Sequence, residues 1–153
     1  MRLATQERPM ESAEPMKVAG FLLREAFNTP EGHQGLWSFR ESFYHWYGGQ
    51  WHIRDSVWLE DMCWRVLEDA YYRDRSREEM VIRRFNPNRT KIENVMRALE
   101  ARVRLAHNKV PVWLGPGTKS VGTVVAFQDK LVDAKTMEVE DRDANWFDPV
   151  TLP

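Results

Sequence analysis

Phe43-Tyr44-His45-Trp46-Tyr47-Gly48-Gly49-Gln50-Trp51-His52-Ile53-Arg54 is the stretch on which the fold turns. Two aromatic-rich runs enclose a Gly-Gly pair. A two-residue glycine loop makes a tight hairpin, because both central residues can take positive φ. The turn sets the register: Tyr47 opposite Gln50, Trp46 opposite Trp51, His45 opposite His52 and Tyr44 opposite Ile53. Alternation then puts Tyr44, Trp46, Trp51 and Ile53 on one face, expected as core. Phe43, His45, Tyr47, Gln50, His52 and Arg54 fall on the other, expected to be partly wet.

Helical patterns flank the hairpin. Downstream, Asp55 or Ser56 caps a helix expected over about 57–73, with Leu59, Met62, Cys63, Val66, Leu67 and Ala70 as its apolar stripe. Upstream, Met16, Ala19, Leu22, Leu23 and Ala26 predict a short helix at about 16–27, ended by Asn28-Thr29-Pro30-Glu31-Gly32. Residues 1–15 are polar and aperiodic and read as a disordered leader rather than a signal peptide. A basic connector, 73–89, contains a short strand or helix tail at 80–85. Thr90-Lys91-Ile92-Glu93 has capping-box spacing, and Ile92, Val95, Met96, Leu99, Val103 and Ala106 predict a helix to about residue 106. Apolar 121–127 reads as a buried strand, 131–132 and 137–139 as short strands, and 141–153 as an exit segment.

This order predicts an α+β domain over 16–149, with two main amphipathic helices, an aromatic hairpin before them and short strands after. It is compatible with a winged-helix-like unit in which the helix from Thr90 is presented to DNA. With 153 residues, 42% apolar and 29% charged, the chain can bury one core. Twenty-two basic against 23 acidic residues leave a net charge of −1, so bulk charge does not make it a polyanion binder. A single cysteine, Cys63, excludes a disulfide framework and a cysteine-rich zinc module, and points to a reducing, cytoplasmic setting. No apolar run approaches the ~20 residues of a membrane span.

Catalytic patterns are missing from the sequence. Gly115-Pro116-Gly117-Thr118-Lys119-Ser120 resembles a phosphate loop by composition only, since the glycine spacing is wrong and Pro116 removes an amide. His45 and His52 face each other, but Tyr47 and Gln50 are poor ligands, and a transition metal needs three or four donors. Cys63 sits on an apolar stripe, as a small core residue does. The expectation is therefore no catalytic residue, no metal and no cofactor. A metal-dependent nuclease or hydrolase using tail carboxylates is the minor alternative.

Charge segregation carries the functional reading. Residues 73–104 hold ten basic and five acidic groups, while 129–148 hold three basic and seven acidic. Glu93–Arg97 and Glu100–Arg104 are i,i+4 pairs that can lace a solvent face. Arg83, Arg84, Arg89 and Lys91 gather at a helix start, where backbone amides favour an anion and guanidinium forks suit phosphate. With Asn88, Arg97 and Arg104, they form the expected nucleic-acid contact.

Three segments in this order resemble a known family. They are 43–51 ahead of an amphipathic helix, 85–95 opening the capped helix, and 124–133 followed by 136–138 and ending at 147–149. Together they are similar to the domain that precedes the superfamily 3 helicase motor of phage, plasmid and poxvirus-type primase–helicases. The resemblance spans roughly 16–149. It implies a non-catalytic accessory module that helps a ring-forming parent engage single- or double-stranded DNA and assemble as a homo-oligomer, without contact to membranes. Residues 150–153 would then lead toward a motor. Protein interaction in a ring collar, without direct DNA contact, is the alternative function. The sequence departs from the family where Asp129-Lys130 replace Asn-Gly and Met137 replaces Gly. Both replacements resist positive φ, so longer hairpin loops are expected there.

Overall fold

A computed structural model describes residues 8–75, 79–106, 109–115 and 121–150. The class is α+β. Helix α1 is Pro15–Glu25, α2 is Ser56–Leu67 and α3 is Arg89–Val103. Strands β1 (Leu36–Phe39), β2 (Ser42–Tyr47) and β3 (Gln50–Arg54) form one antiparallel sheet. Strands β4 (Tyr71–Asp74) and β5 (Val81–Arg84) form a hairpin between α2 and α3. After α3 come β6 (Val112–Trp113), then β7 (Val124–Ala126), β8 (Lys130–Asp133) and β9 (Val139–Asp141) as a second three-stranded sheet. Strand β10 (Trp146–Phe147) pairs back with β6.

The β2–β3 register is the one that the Gly-Gly turn dictates, with Trp46 opposite Trp51 and His45 opposite His52. The division of its faces is different from expectation. Phe43 is buried and Ile53 is exposed. Both faces of the sheet are covered near its middle. Phe43 and Leu36 pack into a core with α1, α2 and α3, while Phe39 and Trp51 pack with Phe147, flanked by Trp37, Tyr44 and Trp46. An alternating apolar/polar reading assumes one wet face, and a sheet sandwiched between two layers violates it. Trp51 Nε1 donates to the Trp146 carbonyl at 2.9 Å, tying the hairpin to the C-terminal strands.

Strand β1 has no counterpart in the sequence reading. Its turn to β2 uses Arg40 and Glu41, both at positive φ (47° and 65°), where glycine or asparagine is usual. Its far edge is covered by the chain leaving α3, where Leu105 N–H donates to the Ser38 carbonyl at 2.8 Å.

Three element boundaries are corrected. Helix α2 ends at Leu67, not near 73, because Tyr71 and Tyr72 enter β4 against β5. The cap of α3 is Asn88, whose side chain accepts the Lys91 N–H, and Glu93 binds Arg89 instead of closing a capping box on Thr90. Helix α3 stops at Val103, short of 106. The expected leader is also ordered where it is described. Met10 is buried, and its backbone bonds to Tyr71 and Arg73 at 2.7 and 3.0 Å; residues 1–7 lie outside the described residues. The exit segment begins later than expected, since Trp146 and Phe147 are fully buried. Met137 does adopt positive φ (60°) in the five-residue connection from β8 to β9, the longer loop expected there.

Candidate functional site

The basic connector folds into the β4–β5 hairpin and the start of α3, which places Arg83, Arg84, Asn88, Arg89 and Lys91 on these neighbouring elements, while Arg97 lies midway along α3 and Arg104 stands at its far end. Most of them are occupied by the chain itself. Arg83 Nε lies 2.8 Å from Asp74 Oδ2. Arg84 donates to the Glu68 carbonyl through Nε and Nη2 (3.2 and 3.0 Å) and to Asp69 Oδ1 at 2.9 Å. It therefore caps the C-terminal end of α2, where backbone carbonyls gather negative charge.

At the next helix, Lys91 Nζ donates to the carbonyls of Phe85 and Asn86 at 2.6 and 3.0 Å, and lies 5.0 Å from the Phe85 ring centre. Asn88 is the N-cap. Arg89 Nε meets Glu93 at 2.8 Å, which raises the arginine's pKa, and Arg104 meets Glu100 at 3.2 Å. Arg97 is exposed on the outer face of α3, with no hydrogen bond or ion pair among the described residues. The pairs sit at the surface, where each contributes under about 1 kcal/mol, but a phosphate has to displace a carboxylate to use them. Arg77 lies outside the described residues.

Sequence reasoning missed a convergence of two other guanidiniums. A Cβ added at the buried Gly20 of α1 would lie 3.5 Å from Arg24 Nη1 and 3.6 Å from Arg102 Cζ. No carboxylate hydrogen-bonds to either arginine among the described residues. The signal in sequence was a glycine inside an amphipathic helix, a position that costs about 1 kcal/mol relative to alanine and often has a packing reason.

Of the two facing histidines, His45 is held by packing, while His52 Nε2 lies 3.0 Å from the Tyr47 carbonyl. His45 stands 5.0 Å from the Trp58 ring and 6.0 Å, edge on, from Phe27. Burial, with Arg54 and His52 nearby, pushes it down to about 4. Cys63 is fully buried, and burial pushes its thiol up to about 12. Among the described residues no three His, Cys, Asp or Glu side chains gather as a metal site. Of the phosphate-loop lookalike, only Gly115 is described.

A cleft of about 1000 Å³ lies between the Gly48-Gly49 turn, the loop 28–33 and residues 141–144. Its wall carries Glu25, Glu31, Asp141 and Asp143 against Arg142, so it is not a continuation of the basic surface. No helix among the described residues is long and apolar enough to cross a membrane.

Exposed apolar side chains mark a different surface. Met80, Val81 and Ile82 are all exposed at the start of β5, the strand of the β4–β5 hairpin with no second neighbouring strand among the described residues. Met137 and Val139 are exposed at β9. Against protein-family models, curated proteins and solved structures, the chain has no match.

Proposed function

We propose that this domain is a non-catalytic assembly module that associates with further copies of its own chain. The observation that carries this reading is how the β5 strand spends its groups: Arg83 and Arg84 are paired internally, while its apolar side chains face solvent on an open edge. A surface that solvates its apolar groups and neutralises its charged ones is suited to a protein partner more than to a polyanion. The resemblance to a domain of ring-forming helicases supports the same reading. Sedimentation velocity of the chain from about 1 to about 100 µM tests it, since modest interfaces saturate in that range. A mass that rises with concentration is expected. A monomer throughout refutes it.

Direct contact with DNA is the second reading, favoured by Arg24 and Arg102, which converge with no carboxylate hydrogen-bonded to either among the described residues, although Glu11 lies within electrostatic reach of Arg24, and by the exposed Arg97. In the winged-helix version of this reading, α3 offers its outer face and the β4–β5 hairpin stands beside it. The affinity would be salt-sensitive and nearly sequence-independent. Two variant sets locate the phosphates: R83E/R84E/R89E/K91E strikes the paired cluster, and R24A/R97A/R102A strikes the unpaired groups. Binding lost only in the second set places the contact at the α1–α3 face. Binding unchanged in both removes DNA from the function.

A further inference from the structure

Strands β5 and β9 belong to different sheets, and among the described residues each has a hydrogen-bonded neighbour on one side only. An unpaired edge is a template for another strand, and proteins usually blunt such edges with charge, proline or cover. Here both edges carry exposed apolar side chains beside charged ones: β5 reads Val-Ile-Arg-Arg and β9 reads Val-Glu-Asp. Met80, Val81 and Ile82 are 60%, 40% and 41% exposed, and Met137 and Val139 are 73% and 62% exposed.

The two hairpins carry opposite charge. Around β4–β5 the described residues include Arg73, Arg75, Arg83 and Arg84 against Asp69, Asp74 and Glu79, with Arg83 paired to Asp74 and Arg84 to Asp69, so the remaining basic excess lies at β4. Around β8–β9 they include Asp133, Glu138, Glu140 and Asp141 against Lys130 and Lys135. We infer that the β5 edge of one copy receives the β9 edge of another by strand addition, so that copies join head to tail. This inference rests on the assembly reading above and names its two surfaces.

Charge decides between the possible pairings. Joining β5 to β5 brings two basic hairpins together, and joining β9 to β9 brings two acidic ones together; like charges across a strand pair are unfavourable. Joining β5 to β9 sets basic against acidic and lays Val139 beside Ile82 on one face, with Val81 on the other. Backbone hydrogen bonds supply the affinity, and the alternating side chains supply the selectivity. The outer edge of β4 is not available for this, because Met10 already bonds to it. A contact between two unlike surfaces closes into a ring when its rotation returns to the start, and otherwise extends into a filament.

Ile82→Glu and Val139→Lys test the inference by sedimentation. Each substitution sets a like charge against its expected partner, at an exposed position where the fold is not at stake. Each variant alone is expected to associate at least about tenfold more weakly than the unmodified chain. An equimolar mixture is expected to recover association, because the introduced carboxylate on β5 then meets the introduced ammonium on β9, and the two unmodified edges meet each other. Met80→Glu with Met137→Lys repeats the design at neighbouring positions. If the unmodified chain associates and Val139→Lys leaves it unchanged, the β9 assignment is overturned while the assembly reading stands. If the mixture stays dissociated, the head-to-tail pairing is overturned. If the unmodified chain is monomeric throughout, both fall together.

Discussion

Asn88 and Lys91 lock each other at the start of α3: the Asn88 Oδ1 accepts the Lys91 backbone N–H at 2.9 Å, and the Lys91 ammonium folds back onto the carbonyls of Phe85 and Asn86. Two residues suited to phosphate are thus employed in ending one strand and beginning one helix. Asn88→Ala removes the cap and is expected to cost about 1 kcal/mol, read from urea unfolding, while Asn88→Asp retains most of it. An Ala variant as stable as the parent would show that the cap contributes nothing.

His45 makes stability depend on pH. Its ordinary value is 6.5 and packing holds it at about 4, so the unfolded chain binds the proton more tightly. The contribution is complete above pH 6.5, is lost as pH falls from 6.5 toward 4, and flattens below that. Solvent still reaches part of the ring, so the loss is discounted from the full shift to on the order of 1–2 kcal/mol. Urea midpoints at about pH 7 and about pH 4.5 should therefore differ less in His45→Gln than in the parent. Equal differences in the two proteins would remove His45 from the acid sensitivity.

Met137 holds φ at +60°, a left-handed conformation that costs a side-chain-bearing residue about 1–2 kcal/mol. Its N–H donates to the Asp133 carbonyl at 2.7 Å, which fixes the turn. Glycine relieves the strain but loosens the unfolded chain. Met137→Gly is expected to stabilise by roughly 0.5–1 kcal/mol in thermal or urea unfolding. A loss of stability would show that the methionine side chain holds the turn through contacts of its own.

Cys63 lies at the centre of the α1–α2–α3 core, its Sγ 3.8 Å from the Met96 sulfur. Burial keeps the thiolate scarce, so a thiol reagent should modify the native protein only as fast as the core opens. Labelling at the rate of an exposed cysteine, without denaturant, would contradict this packing.

Local sequence signals revealed the elements with strong local chemistry. The Gly48-Gly49 turn set a register that the fold keeps to the residue, and the stripe of Ile92, Val95 and Leu99 marked α3. What escaped was set by tertiary contact. Strand β1 turns through Arg40 and Glu41 without a glycine, and Tyr71 and Tyr72, inside the expected bounds of α2, are strand because β5 lies alongside. The basic cluster was visible as a run of arginines. Two of its carboxylate partners, Asp69 and Asp74, come from the end of α2 and from β4, and no local spacing announces them. Arg24 and Arg102 are 78 residues apart in sequence and meet only because α1 packs on α3.

The backbone of Met10, finally, acts as a stopper on the far side of the β4–β5 ribbon. Proteolytic trimming past this residue would leave the ribbon adhesive along both margins. Under the strand addition proposed above, a copy trimmed there would offer two receptive margins where it had offered one, and branched aggregates would be expected in place of linear chains.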